Sequence, residues 1–178
     1  MILASADPGK SSGLAVLDVQ PTRVELVGAF QVSGGVGGFR ALVSKVQAEW
    51  PDAQWIAEKF SPRPGQGFTH GLDSTLPLVC EGVLIDRDLL PEYAPGLKVW
   101  RSPQLQYLVG GDTLARKKSR THRFLKDSGF YRTGKMLDSA DADDFRSACA
   151  HGLAYIAREV GHRPTFNMIA DWTERNPV

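Results

Sequence analysis

The sequence predicts an α/β domain with a mixed sheet flanked by helices, and two observations lead to this prediction. Three strand-like segments follow one another at the start of the chain, and two more then alternate with helical patterns. Strands without helices between them meander in an antiparallel fashion, whereas strands joined through helices pair in parallel, so the sheet should be mixed (α/β or α+β). The length of 178 residues suits a single domain with a full core.

The five predicted strands are apolar or alternating segments bounded by turn residues. A turn rich in Gly, Pro and Ser, which begins at Asp7, joins the first two strands into a hairpin. The predicted strands cover residues 2–6, 13–19, 23–32, 54–60 and 97–100. A cluster of glycines after the third strand is predicted to form a loop, at positions 34, 35, 37 and 38.

Four segments have apolar residues at helical spacing. They cover residues 39–50, residues 72–90, a basic segment that ends at about residue 128, and residues 141–160. Asp112 or Thr113 is a suitable N-cap for the basic helix. We therefore expect one domain at residues 1–160 and a C-terminal tail of uncertain order at residues 161–178.

The sequence shows no sign of a membrane or secreted protein. No run of about 18 apolar residues occurs, and the N-terminal segment lacks the basic region of a signal peptide. Cys80 and Cys149 lie in apolar helical patterns without the spacing of a metal site, which is typical of reduced, buried thiols. We therefore expect a cytoplasmic protein without membrane contact.

The net charge of +1 conceals a separation of charge along the chain. Eight basic residues and one acid lie between Arg116 and Lys135, and four aspartates without a base follow from Met136 to Asp144. A phosphodiester-cleaving enzyme needs both features, because basic side chains hold a polyanion and clustered carboxylates hold cations at the bond to be cut. On charge alone, a solvated helix followed by an acidic helix start explains the pattern equally well.

Four acids are placed so that they could meet at one site. Asp7 ends the first strand and Glu58 lies near the end of the fourth, where a buried carboxylate is unfavourable unless it is paired or binds a metal. Asp141 and Asp144 are spaced i, i+3 at the start of the last helix and share one face, whereas Asp143 is rotated by about 100°. Taken singly, these acids are also explained as surface residues at strand ends or as helix-start residues. Together they would raise one another's pKa unless cations are bound.

Several segments resemble motifs of RuvC-type Holliday-junction resolvases, and they occur in the family's order. ILASADPGKSSGLAVLD is similar to the first strand, turn and second strand, IAEKF to the second acidic strand, and DADDFRSACAHGLAYI to the terminal Asp-x-x-Asp-Ala helix. The basic segment LARKKSRTHRFL resembles the one that carries the family's lysine. The matches span about residues 1–160. The divergence of the chain leads us to expect a phage or prophage member.

The resemblance implies an RNase H-like fold with a five-stranded sheet of order 3-2-1-4-5, a homodimer that binds branched DNA, and Mg²⁺ or Mn²⁺, with about two ions per active site. It implies that the acids that bind the metal and catalyse the reaction are Asp7, Glu58, Asp141 and Asp144, with Lys118 as the basic catalytic residue. The predicted DNA-binding residues are Arg63, Phe68, Arg116, Lys117, Lys118, Arg120 and Arg123.

The function implied by the resemblance is that of a Mg²⁺-dependent crossover junction endodeoxyribonuclease. Such an enzyme resolves four-way DNA junctions by paired, symmetric hydrolysis of phosphodiester bonds. It would act in the cytoplasm of a bacterium or of a phage-infected host cell.

Some positions depart from the family's pattern. Residue 145 is Phe where the family usually has Ala, and the register of the last helix leaves Asp143 open as the third ligand. The family's DNA-stacking aromatic lies three residues after the catalytic Glu, where this chain has Ser61. Phe60 or Phe68 would then take its place.

Two further expectations concern the helices. His151 lies about 10 Å along the last helix from Asp144, too far to share its metal, and is expected to be a packing residue. The segment 72–90 is apolar on more faces than a helix on one side of a sheet requires, so it is the candidate dimer interface, with burial against the sheet as the alternative.

Other functions stay open. A nuclease of the same fold could act on flaps or other branched DNA. Actin-like and sugar-kinase-like ATPases also begin with Asp-x-Gly on a hairpin, although they need a duplicated domain and a longer chain. A DNA-binding module without catalysis is the last alternative, and intact acids at all four positions argue against it.

Overall fold

The computed structural model describes residues 1–59, 75–89, 99–101, 105, 108–131 and 143–177 of the chain. Its strands are β1 (Ile2–Asp7), β2 (Ser11–Gln20), β3 (Arg23–Ser33), β4 (Gln54–Lys59) and β5 (Val99–Arg101). Its helices are α1 (Gly35–Glu49), α2 (Leu76–Asp86), α3 (Leu114–Asp127), α4 (Asp143–Arg158) and α5 (Arg163–Arg175).

The strands form one mixed sheet with the order β3-β2-β1-β4-β5. β1 and β3 flank β2 in antiparallel pairing, as expected for three strands joined by short turns. β4 pairs in parallel with both β1 and β5, as expected for strands separated by helices. The predicted α/β fold class and the sheet order 3-2-1-4-5 are therefore confirmed.

The sheet is buried on both faces because its side chains alternate between two apolar cores. One core joins residues such as Ala4 and Trp55 to α1 and α2. The other joins residues such as Leu3 and Ile56 to α3, α4 and α5. Side chains alternate along a strand, so the odd-numbered residues of β1 and the even-numbered residues of β4 face α4.

Helix α1 begins four residues earlier than predicted. The glycines at positions 35, 37 and 38 lie in its first turn, and the predicted glycine loop is reduced to Gly34. Gly34 has a φ of 102°, a left-handed conformation that glycine adopts without steric cost. A Cβ at Gly38 would overlap with the carbonyl oxygen of Ser33. These glycines therefore allow a tight passage from β3 into the helix.

Helix α2 is shorter than the predicted segment. It covers Leu76–Asp86, whereas residues 72–74 and 90 lie outside the described part of the chain. The helix ends before Asp88, whose φ of 57° is left-handed and cannot continue a right-handed helix.

The start and end of the basic helix agree with the prediction. Thr113 is the N-cap of α3, and its hydroxyl accepts a hydrogen bond from the backbone N–H of Arg116 at 3.2 Å. This bond satisfies one of the donors that a helix start leaves without a partner.

The prediction of a tail of uncertain order is wrong for residues 163–175, which form helix α5. His162 caps this helix by accepting a hydrogen bond from the backbone N–H of Thr165. Trp172 is buried, and its indole N–H donates to the carboxylate of Asp127 in α3 at 2.9 Å. The end of the chain therefore packs on the same core as α3 and α4.

Both cysteines are buried free thiols, as predicted. Burial raises the pKa of Cys80 to about 11 and also raises the pKa of Cys149. Within the described residues, no helix is long and apolar enough to cross a membrane.

Candidate active site

The parallel pairing of β1 and β4 brings Asp7 and Glu58 to the same edge of the sheet. The last paired residues of the two strands are Ala6 and Ala57, so Asp7 and Glu58 are the next residues in register. Both occupy positions that face α4. Two carboxylates predicted from strand ends therefore come together on one face of the sheet.

A row of residues across three strands forms a seat for the first turn of α4. Asp7 pairs with Gly13 in β2, and Gly13 pairs with Gln31 in β3. A Cβ at Gly13 would overlap with the backbone of Asp144 and Phe145, so the helix lies directly on this glycine. The side-chain oxygen of Gln31 accepts a hydrogen bond from the backbone N–H of Phe145 at 3.2 Å. We call Gly13 and Gln31 the helix seat, because together they place Asp144 beside Asp7.

Two further contacts hold α4 along the sheet. The hydroxyl of Ser5, which is fully buried, donates to the backbone carbonyl of Ala148 at 2.7 Å. A Cβ at Gly152 would lie 2.6 Å from a methyl carbon of Leu17, so this glycine also permits close packing. Small residues at these positions therefore let α4 lie close to the sheet.

The carboxyl group of Asp7 lies among like charges. Burial raises the pKa of Asp7 well above its usual value, and the negative charge of Glu58, a hydrogen bond with Glu58 and the charge of Asp144 raise it further. A hydrogen bond from the hydroxyl of Ser147 acts in the opposite direction, because it stabilises the charged carboxylate. Without a cation, the site therefore favours a protonated Asp7.

Two residues of this site were not recognised from the sequence. Ser147 and His151 follow Asp144 by three and seven residues, so all three lie on one face of α4. The Nε2 atom of His151 lies 3.3 Å from an Oε atom of Glu58. The expectation that His151 only packs came from its distance to Asp144, whereas its polar contact is on β4. The i, i+3, i+7 spacing of polar residues was the signal available in the sequence.

Three of the four predicted acids meet at this site. Asp7, Glu58 and Asp144 come together at the ends of β1 and β4 and at the start of α4. Asp141 lies outside the described residues, and the side chain of Asp143 does as well. The choice between these two as the further ligand stays a prediction.

The chemistry of the acidic cluster fits a hard divalent cation. Mg²⁺ and Mn²⁺ prefer carboxylate oxygens, and the three described acids supply only such donors. Burial is the main cause of the raised pKa of Asp7, but Glu58 and Asp144 raise it further because they place negative charge beside it, and a cation would offset that charge. Among the described residues, however, no three His, Cys, Asp or Glu side chains are arranged as a ready metal site.

The outer face of α3 carries exposed basic side chains. Arg116 pairs with Asp112 at 2.9 Å and Arg123 with Asp127 at 3.6 Å, and all four side chains are exposed. Lys118 is exposed as well. Exposed ion pairs contribute only about 0–1 kcal/mol, so phosphate oxygens can replace these carboxylates at little cost.

Arg120 differs from the other bases of α3. Its Nε donates to the carbonyl of Val109 at 2.7 Å, one of its Nη atoms donates to the carbonyl of Pro177, and its guanidinium lies 5.3 Å from the ring centre of Trp172. These contacts argue for a structural role rather than the predicted contact with DNA. Lys117 is also partly buried.

The remaining predicted DNA contacts, Arg63 and Phe68, lie outside the described residues, as does Phe60. They stay predictions. Lys10, in the turn that follows Asp7, is exposed.

Comparison with known proteins identifies the fold. No family model and no curated protein sequence matches the chain. The structure of Thermus thermophilus RuvC aligns with 91% of this chain and 98% of its own, with a TM-score of 0.56 and 18% sequence identity. The chain has the RuvC fold. The structure of T. thermophilus RuvC in complex with Holliday junction substrate aligns with 89% of this chain and 96% of its own, with a TM-score of 0.55 and 19% identity.

Proposed function

We propose that this protein is a metal-dependent endonuclease that resolves four-way DNA junctions by paired, symmetric cuts. The observation that carries the proposal is the meeting of Asp7, Glu58 and Asp144 on a RuvC fold. Bringing like charges together on a partly buried surface is unfavourable unless a bound cation compensates for it. A RuvC of this fold is known in complex with a Holliday junction, which makes branched DNA the first substrate to test.

Asp7, Glu58 and Asp144 would hold the Mg²⁺ or Mn²⁺ ions, about two per site, with Asp141 completing the ligand set. When bound, the ions would supply an activated water for hydrolysis and would stabilise negative charge on the departing oxygen of the phosphodiester. Ser147 keeps the carboxylate of Asp7 oriented by donating a hydrogen bond. The helix seat holds Asp144 in place, so the two strand acids and the helix acid keep a constant arrangement.

The basic residues bind the substrate. Lys118 would neutralise charge on the scissile phosphate, and the exposed Arg116 and Arg123 would hold the DNA backbone. Such contacts give affinity without reading base sequence. We therefore expect selection of DNA structure by the shape of the bound surface.

Paired cuts require two active sites, and a C₂ homodimer supplies them most simply. Helix α2 buries Cys80 and Leu84 but exposes Leu78 (41%) and Val79 (49%), so it has an apolar outer face. We propose that this face is the dimer interface. Val27 on β3 is exposed to a similar degree (43%) and serves as a matched control.

Analytical ultracentrifugation at micromolar concentration, with and without junction DNA, tests the dimer. The wild-type chain and Val27→Glu should sediment as dimers. Val79→Glu should shift towards monomer, because a dimer formed through α2 would bury the unpaired charge of the new glutamate. A wild-type monomer in both conditions that still makes paired cuts would overturn the dimer and the resolvase mechanism with it.

A flap or fork nuclease of the same fold would use the same acids, so only the substrate separates the two functions. The test is a cleavage assay on four-way junction, flap, fork and linear duplex, with Mg²⁺ and with a chelator. We expect Mg²⁺-dependent cleavage that is fastest on the junction, with symmetric nicks on opposite strands. Faster cleavage of flaps, or single unpaired nicks, would favour the alternative nuclease. No cleavage of any substrate would favour a non-catalytic DNA-binding module.

A further inference from the structure

His151 lies beside the acidic cluster on α4 and is almost completely buried. Its side chain is 3% exposed, and its Nε2 lies 3.3 Å from an Oε atom of Glu58, whose side chain is 24% exposed. The other ring nitrogen, Nδ1, is buried and has no hydrogen-bond partner among the residues that the structure describes. A buried polar atom without a partner is unusual and needs an explanation.

A second partly buried histidine of the chain provides a comparison. Both ring nitrogens of His162 have partners at 2.7 Å, namely the hydroxyl of Thr165 and the backbone carbonyl of Gln20. That arrangement is typical of a histidine that joins two elements of a fold. His151 instead directs one nitrogen towards an acid of the active site, and its other nitrogen has no hydrogen-bond partner among the described residues.

We propose that His151 is a positioning residue, which donates its Nε2 proton to Glu58 and holds that carboxylate in the orientation needed for metal binding. The inference rests on the proposed function, because it assigns to Glu58 a role as metal ligand. It adds to that function a residue that touches neither the metal nor the DNA.

The surroundings of the ring determine which nitrogen carries the proton. A proton on Nε2 can be donated to Glu58, and Nδ1 then has only an unused lone pair. A proton on Nδ1 would instead leave a buried N–H without an acceptor and would turn the Nε2 lone pair towards a carboxylate oxygen. A proton on Nε2 is therefore favoured over a proton on Nδ1 alone.

The position of the ring is rigid because α4 is anchored on both sides of it. The hydrogen bond from Ser5 to the carbonyl of Ala148 lies one turn before His151, and the close contact of Gly152 with Leu17 lies directly after it. A donor held in this way restricts the rotamers of Glu58. Donors that orient a metal ligand typically change metal affinity by about 10–100-fold when they are removed.

Binding of Mn²⁺ to the full-length protein without DNA, measured by isothermal titration calorimetry, tests the proposal. His151→Leu removes the donor and keeps a similar volume, and it should weaken Mn²⁺ binding by about 10–100-fold. His151→Gln places an amide N–H near the position of Nε2 and should restore most of the affinity. His162→Leu should lower the melting temperature without changing Mn²⁺ affinity, because both of its ring nitrogens only join elements of the fold.

Glu58→Gln separates a failure of this inference from a failure of the proposed function. If Glu58→Gln weakens Mn²⁺ binding and His151→Leu does not, the positioning role is refuted and the metal site stands. If neither variant weakens binding, both the positioning role and Glu58 as a metal ligand are refuted. Equal loss in His151→Leu and His151→Gln, with both variants folded, would also refute the donor role.

The protonation of the ring can be measured in the wild-type chain, so the test does not depend on a variant that folds. A long-range ¹H–¹⁵N spectrum of the metal-free protein with labelled histidine, at pH 8, reports which nitrogen of His151 carries the proton. We expect a proton on Nε2. An Nε2 without a proton, with the proton on Nδ1 alone, would overturn the proposal.

Discussion

Gly13 lies directly against the backbone of Asp144, and a Cβ at this position would overlap with the carbonyl carbon and oxygen of Asp144. Gly13 is also the residue that pairs with Asp7 across the hairpin of β1 and β2. One glycine therefore sets the distance between an acid on the sheet and an acid on the helix. This relationship connects the packing of α4 with the geometry of the candidate site.

The first prediction concerns this glycine. Gly13→Ala should destabilise the protein by about 1–3 kcal/mol, because the added methyl group meets backbone atoms that cannot move independently. It should also weaken Mn²⁺ binding, since relief of the overlap moves Asp144 away from Asp7. Denaturant unfolding and calorimetry measure the two effects.

Gly37→Ala is the matched control. A Cβ at Gly37 would meet no atom within 4 Å among the described residues, and this glycine lies in the first turn of α1. The variant should be stabilised by about 0.4–1 kcal/mol, through the loss of entropy in the unfolded chain, and should bind Mn²⁺ normally. An unchanged stability and metal affinity in Gly13→Ala would contradict the role of the helix seat.

The second prediction follows from the raised pKa of Asp7. In the metal-free protein the folded state retains a proton on Asp7 at pH values where the unfolded chain has released it. Stability should therefore fall as the pH rises from the usual pKa of aspartate through the raised pKa of the folded state. Asp7→Asn carries no such charge, so it should be more stable than the wild type at neutral pH, and the difference should shrink as the pH falls.

Thermal unfolding from pH 4 to pH 8 with a chelator measures this difference. Addition of Mn²⁺ should make the wild type more stable than Asp7→Asn at neutral pH, because a bound cation stabilises only the protein that retains the ligand. If Asp7→Asn is less stable than the wild type across the whole range without metal, the electrostatic description of the site is incorrect.

The third prediction concerns the register at the start of α4. Asp141→Asn should reduce junction cleavage strongly, by about 10²-fold or more, and Asp143→Asn should not, because only the i, i+3 position shares a face with Asp144. Cleavage rates of the two variants at saturating Mg²⁺ decide between them. The opposite result would assign the ligand to Asp143.

The fourth prediction concerns the bases of α3. Lys118→Gln and Arg123→Gln should each make the negative slope of log affinity against log salt shallower by about 0.9, because each removes one phosphate contact. Arg120→Gln should leave the slope unchanged and lower the melting temperature, because Arg120 bonds to Val109 and packs on Trp172. Junction binding without divalent metal, at several salt concentrations, measures the slopes. Unchanged slopes in both Lys118→Gln and Arg123→Gln would exclude α3 as the DNA-binding face.

Local patterns were sufficient to predict much of the fold. The alternation and turns of residues 2–32 predicted the antiparallel strands, and Thr113 predicted the start of α3. Positions at strand ends and at the start of the last helix indicated that Asp7, Glu58 and Asp144 could meet. The sheet order came from the family resemblance, which carries information about contacts that are distant in the chain.

The remaining features depend on contacts that local patterns do not contain. Helix α5 was missed although Pro164 in its first turn is a helix-start signal, because its stability comes from burial of Trp172 against α3. The role of Gly13 was missed because its partner in space, Asp144, is remote in sequence. His151 was assigned to packing because only residues of its own helix were considered, while its polar contact is Glu58.

The central claim is that Asp7, Glu58 and Asp144 together form a metal-dependent nuclease site. The most direct test compares cleavage and binding of a four-way junction by Asp7→Asn, Glu58→Gln and Asp144→Asn with those of the wild-type chain in Mg²⁺. Each substitution should lower the cleavage rate by more than about 100-fold while junction binding persists, because a metal ligand is lost and the basic surface remains. A folded variant that cuts at the wild-type rate, or one that loses binding together with cleavage, would contradict the claim.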